Sequence, residues 1–195
     1  MELEYGLAAL VGYLLGSIPF GWLLTRAAGL GDVRDIGSGA TGATNVLRTG
    51  KKGVAAATLA LDLAKGLGAV LLAKFLSPGA EGVAGVAAVV GHCFPVWLGF
   101  RGGKGVATNA GVSFGLAWPI GLAYAAVWLA VLALGRISSV AGMAAVVGAA
   151  LAAALLGYGG YVLPLAVIAV LVIWLHRSNI GRLMRGQEPK VGGKG

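Results

Sequence analysis

GSGATGATNVLRTGKKG, residues 37–53, decides how the chain is read: it is polar and rich in glycine, and long apolar segments flank it on both sides. Gly37, Gly39 and Gly42 let the backbone enter positive φ and bring N–H groups close together. Ser38, Thr41 and Thr44 add hydroxyls, and Arg48, Lys51 and Lys52 add charge. Successive N–H groups in such a loop form a concave anion nest, most often used for phosphate. The spacing of Gly37, Gly39 and Gly42 spells the dinucleotide fingerprint GxGxxG, but that motif needs a buried strand before it, and the apolar segment here is far too long for one. No Lys-Ser or Lys-Thr follows the last glycine, so a Walker loop is excluded too. What remains is a phosphate-binding loop between two membrane spans; the plain alternative, a solvated linker, needs none of this chemistry.

The flanks are those of a membrane protein. Of 195 residues, 58% are hydrophobic and 11% charged, with a mean hydropathy of +0.87, where a soluble domain carries about 25% charged residues. The thirty-five glycines suit helices that approach closely in lipid. The net charge of +8 is gathered in short clusters between apolar runs, which argues for topology signals and sites for anionic lipid or substrate and against nucleic acid. Cys93 is the single cysteine, so no disulfide is expected, and no metal-ligand spacing is present. Glu2 and Glu4 replace a basic n-region, so the first apolar segment reads as a retained span and not a signal peptide.

A bilayer core takes about 20 apolar residues per helix. Residues 5–25 supply a first span, interrupted at Gly16-Ser17-Ile18-Pro19, where Pro19 removes a donor and forces a break. Spans follow at 54–73, 82–98, 119–135, 138–156 and 161–175, and 106–117 is too short to cross alone. The fold class expected is all-α, a polytopic membrane protein of about seven helices forming a single domain over 1–195, with a disordered tail over 188–195. Thirteen of the fifteen cations, all but Lys65 and Lys74, fall on one side of this arrangement. The positive-inside rule makes that side cytoplasmic, with the N-terminus outside and the C-terminus inside.

Two further constellations share that side. In GHCFPVWLGFRGGKGVAT, residues 91–108, Arg101 and Lys104 bracket Gly102 and Gly103 as a second compact anion site. His92 there is as apt to be a structural hydrogen bonder as a catalyst, and Cys93 reads as a buried, inert thiol. In LHRSNIGRLMRGQEPK, residues 175–190, His176 and Asn179 lie on one helical face, while Arg182 and Arg185 suit anchoring to anionic lipid. Asp62 and Lys65, also i, i+3, serve equally as a structural ion pair or a site, since charges in a bilayer are expensive unless paired.

Together with GSIPFG (16–21), these motifs resemble the bacterial acyl-phosphate-dependent glycerol-3-phosphate acyltransferases, in motif order and in the length of the intervening spans, over nearly the whole chain. Ala40 stands where that family usually has Asn. The resemblance implies acyl transfer from acyl phosphate to the 1-hydroxyl of sn-glycerol 3-phosphate in the bacterial plasma membrane, with no cofactor and no metal, membrane lipid as surroundings and the active site facing the cytoplasm. It implies Ser38, Arg48, Lys104, His176 and Asn179 as the substrate-binding set, with Ser139, next to Ser138, as a further position. The backbone nests add Gly39, Gly42, Thr44, Asn45, Gly102 and Gly103 as binding residues; His176, Lys104 and Ser139 are the candidates for catalysis. The His-x4-Asp acyltransferase pattern is absent at both histidines. The rival reading is a transporter or channel for a phosphorylated anion, built on glycine-rich breaks and intramembrane charge.

Overall fold

A computed structural model describes residues 2–192. It contains ten α-helices and, among the described residues, no strand: α1 (Glu2–Gly16), α2 (Phe20–Ala27), α3 (Ala43–Val46), α4 (Lys52–Leu76), α5 (Glu81–Cys93), α6 (Val106–Leu116), α7 (Trp118–Gly135), α8 (Ser138–Leu155), α9 (Gly159–Leu175) and α10 (Arg177–Met184). The pair α1–α2, α4, α5 with the 3-10 turn after it, α7 and α8 are each long and apolar enough to cross a bilayer, and α9 continues into α10 across a 57° bend. At about 1.5 Å per residue, the eleven residues of α6 reach only part of the way, as the short apolar run predicts.

The break before α2 is where proline requires it, and neighbouring side chains take up groups that it frees. Lys65 Nζ donates to the Ile18 carbonyl at 2.9 Å, Ser17 Oγ to Leu14 O at 2.8 Å, and Trp97 Nε1 to Ser17 Oγ at 2.9 Å. Irregular backbone at membrane depth persists only under that condition. Lys74 Nζ likewise donates to the Leu116 carbonyl at the end of α6, satisfying an orphan acceptor of a half-length helix.

Glycine sets the helix spacing. A Cβ on Gly12 or Gly16 of α1 would run into the carbonyls of Ala84 and Ala88 on α5, and one on Gly66 or Gly111 would do the same between α4 and α6. Val112, Leu116, Ile120, Val146, Leu165, Ile168 and Val172 fill the interior between α5, α6, α7, α8 and α9, while Phe75, Leu134, Leu155 and Leu163 stand outward, as a lipid-facing surface demands. The polar loop before α6 is placed by this packing, and Ala117 alone separates α6 from α7. The loops at 28–51, 99–105 and 136–138 and the segment 176–192 gather at one end of the bundle, joined by hydrogen bonds from Arg34 to Leu98, Ser139 to Glu188 and Arg136 to Val191.

Gly111→Ala should therefore lower thermal stability in detergent by about 1–3 kcal/mol, the usual cost of overpacking, because its methyl has only α4 backbone to meet. Gly68→Ala, in open space on the same interface helix, should leave the melting temperature unchanged or raise it. Equal effects at the two positions would contradict this packing.

Candidate active site

The first loop is built around Asn45. Its Nδ2 donates to the carbonyls of Val33, Ile36 and Ala40 at 2.8, 3.1 and 2.9 Å, and its Oδ1 accepts the Ser38 N–H at 3.0 Å. The buried amide so engaged shapes the loop. Asp32 fixes the loop's start by accepting from Arg34 and from Trp22 Nε1. The hydrogen bond from Arg34 outweighs burial and holds the Asp32 carboxyl below the usual carboxylate range.

Gly37 and Gly39 take positive φ, at 55° and 69°. Gly42 does not: it is extended, with φ −76°, and caps the short helix α3, so its expected left-handed turn is absent. The Gly39 N–H is also spent, on Ile36 O. Thr44 on α3 is exposed and lines no part of the cavity described below. Two N–H groups of the expected nest, those of Ser38 and Gly39, are thus used within the loop itself. Arg48 packs its side chain on Gly37, where any Cβ would meet it; a glycine is needed at 37 both for its φ and for this approach.

The second loop shows the same economy. The Gly102 and Gly103 N–H groups donate to Cys93 O and His92 O, each at 3.1 Å, and so close the end of α5 in place of binding an anion. What the loop presents is Lys104, whose Nζ donates to Asn179 Oδ1. Burial, together with the nearby charges of Arg182, Arg48 and Arg177, pushes the Lys104 ammonium below its ordinary value, against the pull of Glu188. Those three arginines thus stand within electrostatic reach of one ammonium.

A single carboxylate binds the third side. Glu188 Oε1 accepts from Ser139 Oγ at 2.7 Å and from Asn179 Nδ2 at 2.5 Å, and Oε2 accepts from Arg182 Nε at 2.7 Å. Burial alone would raise its pKa, but these hydrogen bonds and the Arg182 charge hold it below the ordinary glutamate value. The expectation of disorder from residue 188 therefore fails at its start, because an acid in a ring of donors docks; Val191 also pairs with Arg136 in both directions. Residues 193–195, and with them Lys194, lie outside the described residues. Of the two serines opening α8, Ser139 is the buried one that faces the cluster. His176 is 4% exposed, with Nδ1 2.7 Å from the Val172 carbonyl. A carbonyl only accepts, so Nδ1 carries the proton and Nε2 keeps its lone pair. Burial, and Lys104 nearby, lower the His176 pKa in spite of that hydrogen bond.

Beside this cluster opens a cavity of about 280 Å³, with Ser38, Gly39, Ala40, Gly102, Gly103, Lys104, Arg101, Arg177 and Ser178 along its walls and Cys93, Phe94, Phe100 and Leu175 as an apolar side. Of the candidate residues, Ser38, Gly39, Gly102, Gly103 and Lys104 line the cavity. Lys104, Asn179, Ser139 and His176 come together through hydrogen bonds and electrostatic contact, and Thr44, Asn45 and Gly42 stay apart from the cavity. Sequence reasoning missed Glu188 and Arg177 and gave Arg182 only a lipid-anchoring role; a lone acid in the run Arg185-Gly186-Gln187-Glu188-Pro189-Lys190 was the available signal. The arrangement can hold phosphates by side-chain charge; Cys93 is buried and the Ser139 hydroxyl donates to Glu188.

Comparison with known proteins agrees with these features. The family model for Glycerol-3-phosphate acyltransferase matches residues 6–186. A glycerol-3-phosphate acyltransferase of Erythrobacter litoralis is 66% identical over 193 residues, covering 99% of this chain and 98% of its own, and one of Maricaulis maris is 55% identical, covering 96% and 87%. The crystal structure of PlsY, an integral membrane glycerol 3-phosphate acyltransferase, in its glycerol 3-phosphate form superposes with a TM-score of 0.90 at 37% identity, over 95% of this chain and 94% of that one. Its lysophosphatidic acid form gives 0.88 at 36% identity. The chain is an integral membrane protein of the glycerol-3-phosphate acyltransferase family.

Proposed function

We propose that this protein transfers a fatty acyl group from acyl phosphate to the 1-hydroxyl of sn-glycerol 3-phosphate, giving 1-acyl-sn-glycerol 3-phosphate and inorganic phosphate at the cytoplasmic face of the plasma membrane. The observation that carries this reading is a cavity with Lys104, Arg101 and Arg177 on its polar walls and one apolar side, with Arg48 and Arg182 close enough to act on the Lys104 charge. Two phosphorylated substrates need cations, and a fatty chain needs a greasy side. Acyl phosphate is a mixed anhydride with a good leaving group, so the glycerol hydroxyl can attack the acyl carbon directly: its oxygen forms the ester bond as the carbon–phosphate oxygen bond breaks. Proximity and fixed positive charge supply the acceleration without an acyl-enzyme. Lys104 and Arg48 hold phosphate oxygens, Asn179 is oriented by Glu188, and the lone pair on His176 Nε2 receives the hydroxyl proton.

The charge asymmetry supports the cytoplasmic orientation. The same polar loops are what a transporter would use, but its substrate path must reach both faces, and here the cations converge at one end. Purified protein in detergent, which has no second compartment, should make lysophosphatidate from acyl phosphate and glycerol 3-phosphate and none from acyl-CoA alone. Turnover with acyl-CoA in the absence of acyl phosphate would overturn the donor assignment.

In that assay kcat/KM should fall on the acid side as His176 is protonated. The lowered pKa means the neutral, proton-accepting form persists below the ordinary histidine value of about 6.5, so the acid limb should lie beneath it. His176→Gln should lose the limb and about a hundredfold in rate, the low end for a general base; a limb that persists would assign the proton to the departing phosphate.

Arg48 gives the sharpest test of phosphate binding. A guanidinium matches two phosphate oxygens, whereas lysine offers one mobile charge. With about 1.5–3 kcal/mol for a charge-assisted hydrogen bond, Arg48→Lys should cost about tenfold to a hundredfold in kcat/KM, and Arg48→Ala more, with an unchanged size-exclusion profile. Wild-type kinetics in the lysine variant would leave Arg48 a mere lipid anchor.

A further inference from the structure

Behind the Gly-Gly-Lys segment lies a buried polar cluster that the chemistry above does not use. Asp62 and Lys65 of α4 and His92 of α5 are 1%, 5% and 5% exposed. Lys65 Nζ lies 2.8 Å from Asp62 Oδ1 and donates to the Ile18 carbonyl at the α1–α2 break. The same Asp62 oxygen faces His92 Nδ1 at 3.5 Å. Among lipid-embedded helices such charges are costly and persist when paired, so pairing alone would make this an ordinary structural tie.

The other end of the His92 ring argues for more. A Cβ on Gly103 would collide with His92 Nε2 and its neighbouring ring carbons, and one on Gly102 with the His92 carbonyl. Those two glycines also donate their N–H groups to the carbonyls of Cys93 and His92. The ring and the last carbonyls of α5 are thus the floor on which residues 102–103 lie, and Lys104 is the next residue along. The Asp62 carboxylate stands 3.5 Å from Nδ1 without a hydrogen bond between them, so the ring is placed by charge and packing. The contact is with loop backbone and not with another span, which is what a part that places the loop would need.

We infer that His92, held by Asp62 and Lys65, is a positioning residue for the site proposed above: the ring sets where Gly102 and Gly103 lie, and so where the Lys104 ammonium meets phosphate. The inference rests on that functional reading only in its kinetic form, since phosphate binding can be followed without turnover.

The test is a double-mutant cycle between His92 and Gly103. His92→Asn keeps a nitrogen in front of Asp62 and removes the ring end. It should lower kcat/KM about tenfold in protein that remains monodisperse, and Gly103→Ala should lower it at least as far. The double variant should be no worse than Gly103→Ala alone, because the added methyl occupies space that the ring has left; contacts of this kind are non-additive. Independently, inorganic phosphate should raise the melting temperature of the wild type, and this shift should be lost in His92→Asn. If His92→Asn does not fold, His92→Gln enters the same cycle. Multiplying losses in the double variant, with an intact phosphate shift in the single one, would overturn the positioning role while leaving the acyltransferase reading in place. An inert wild type that phosphate still stabilises, with the shift absent in the variant, would keep the positioning role and remove the acyltransferase reading. No phosphate shift in an inert wild type would remove both.

Discussion

Cations gathered at one end of the bundle repel one another, and the carboxylate of Glu188 offsets part of that repulsion. It lies under Asn179, Ser139 and Arg182, and Lys104 reaches it through Asn179. Because the carboxylate takes the amide nitrogen of Asn179, the amide oxygen must turn toward Lys104. One charge therefore fixes a side-chain orientation, tethers an arginine and offsets part of the repulsion among the cations. The helices serve this arrangement by bringing the ends of α5, α8 and α9 to the same level, which the close α1–α5 and α4–α6 contacts at Gly12, Gly16, Gly66 and Gly111 make possible.

Much of the fold was legible because membrane helices write themselves in hydropathy and punctuation. The span lengths, the break at Pro19 and the shortness of the segment now seen as α6 all follow from the apolar runs and the prolines. The cavity-lining residues Ser38, Gly39 and Lys104 were also visible, since small residues and a cation between two spans have few other uses. The details that sequence misjudged share one cause. Glycine-rich composition reports that N–H groups can be brought together, but it does not report which carbonyls will take them. The N–H groups of Gly39, Gly102 and Gly103 are consumed by Ile36, Cys93 and His92, and Asn45, read as a ligand, spends its amide on four loop groups. Glu188 was overlooked because its partner Ser139 lies 49 positions away, a separation that no helical or strand period marks.

The cluster of Asp62, Lys65 and His92 sits between these cases. Its helical spacing announced a pair, but the third member comes from another helix. The reason for the glycine at 103 becomes visible only when the ring is seen to occupy the place of its side chain. Polar groups in this protein are sparse, and near the cavity they bind one another, as at Glu188, or hold loop backbone, as Asn45 does.

Glu188 follows every membrane span in the chain, and this orders the protein's biogenesis. Ribosome and translocon deliver the helices from the N-terminal end, so Ser139, Asn179 and Arg182 enter their places before the carboxylate that joins them exists. A nascent chain that has already threaded all its spans still carries a loose, mutually repelling set of cations. The cluster of Ser139, Asn179 and Arg182 is joined only when the segment bearing Glu188 folds back on the bundle.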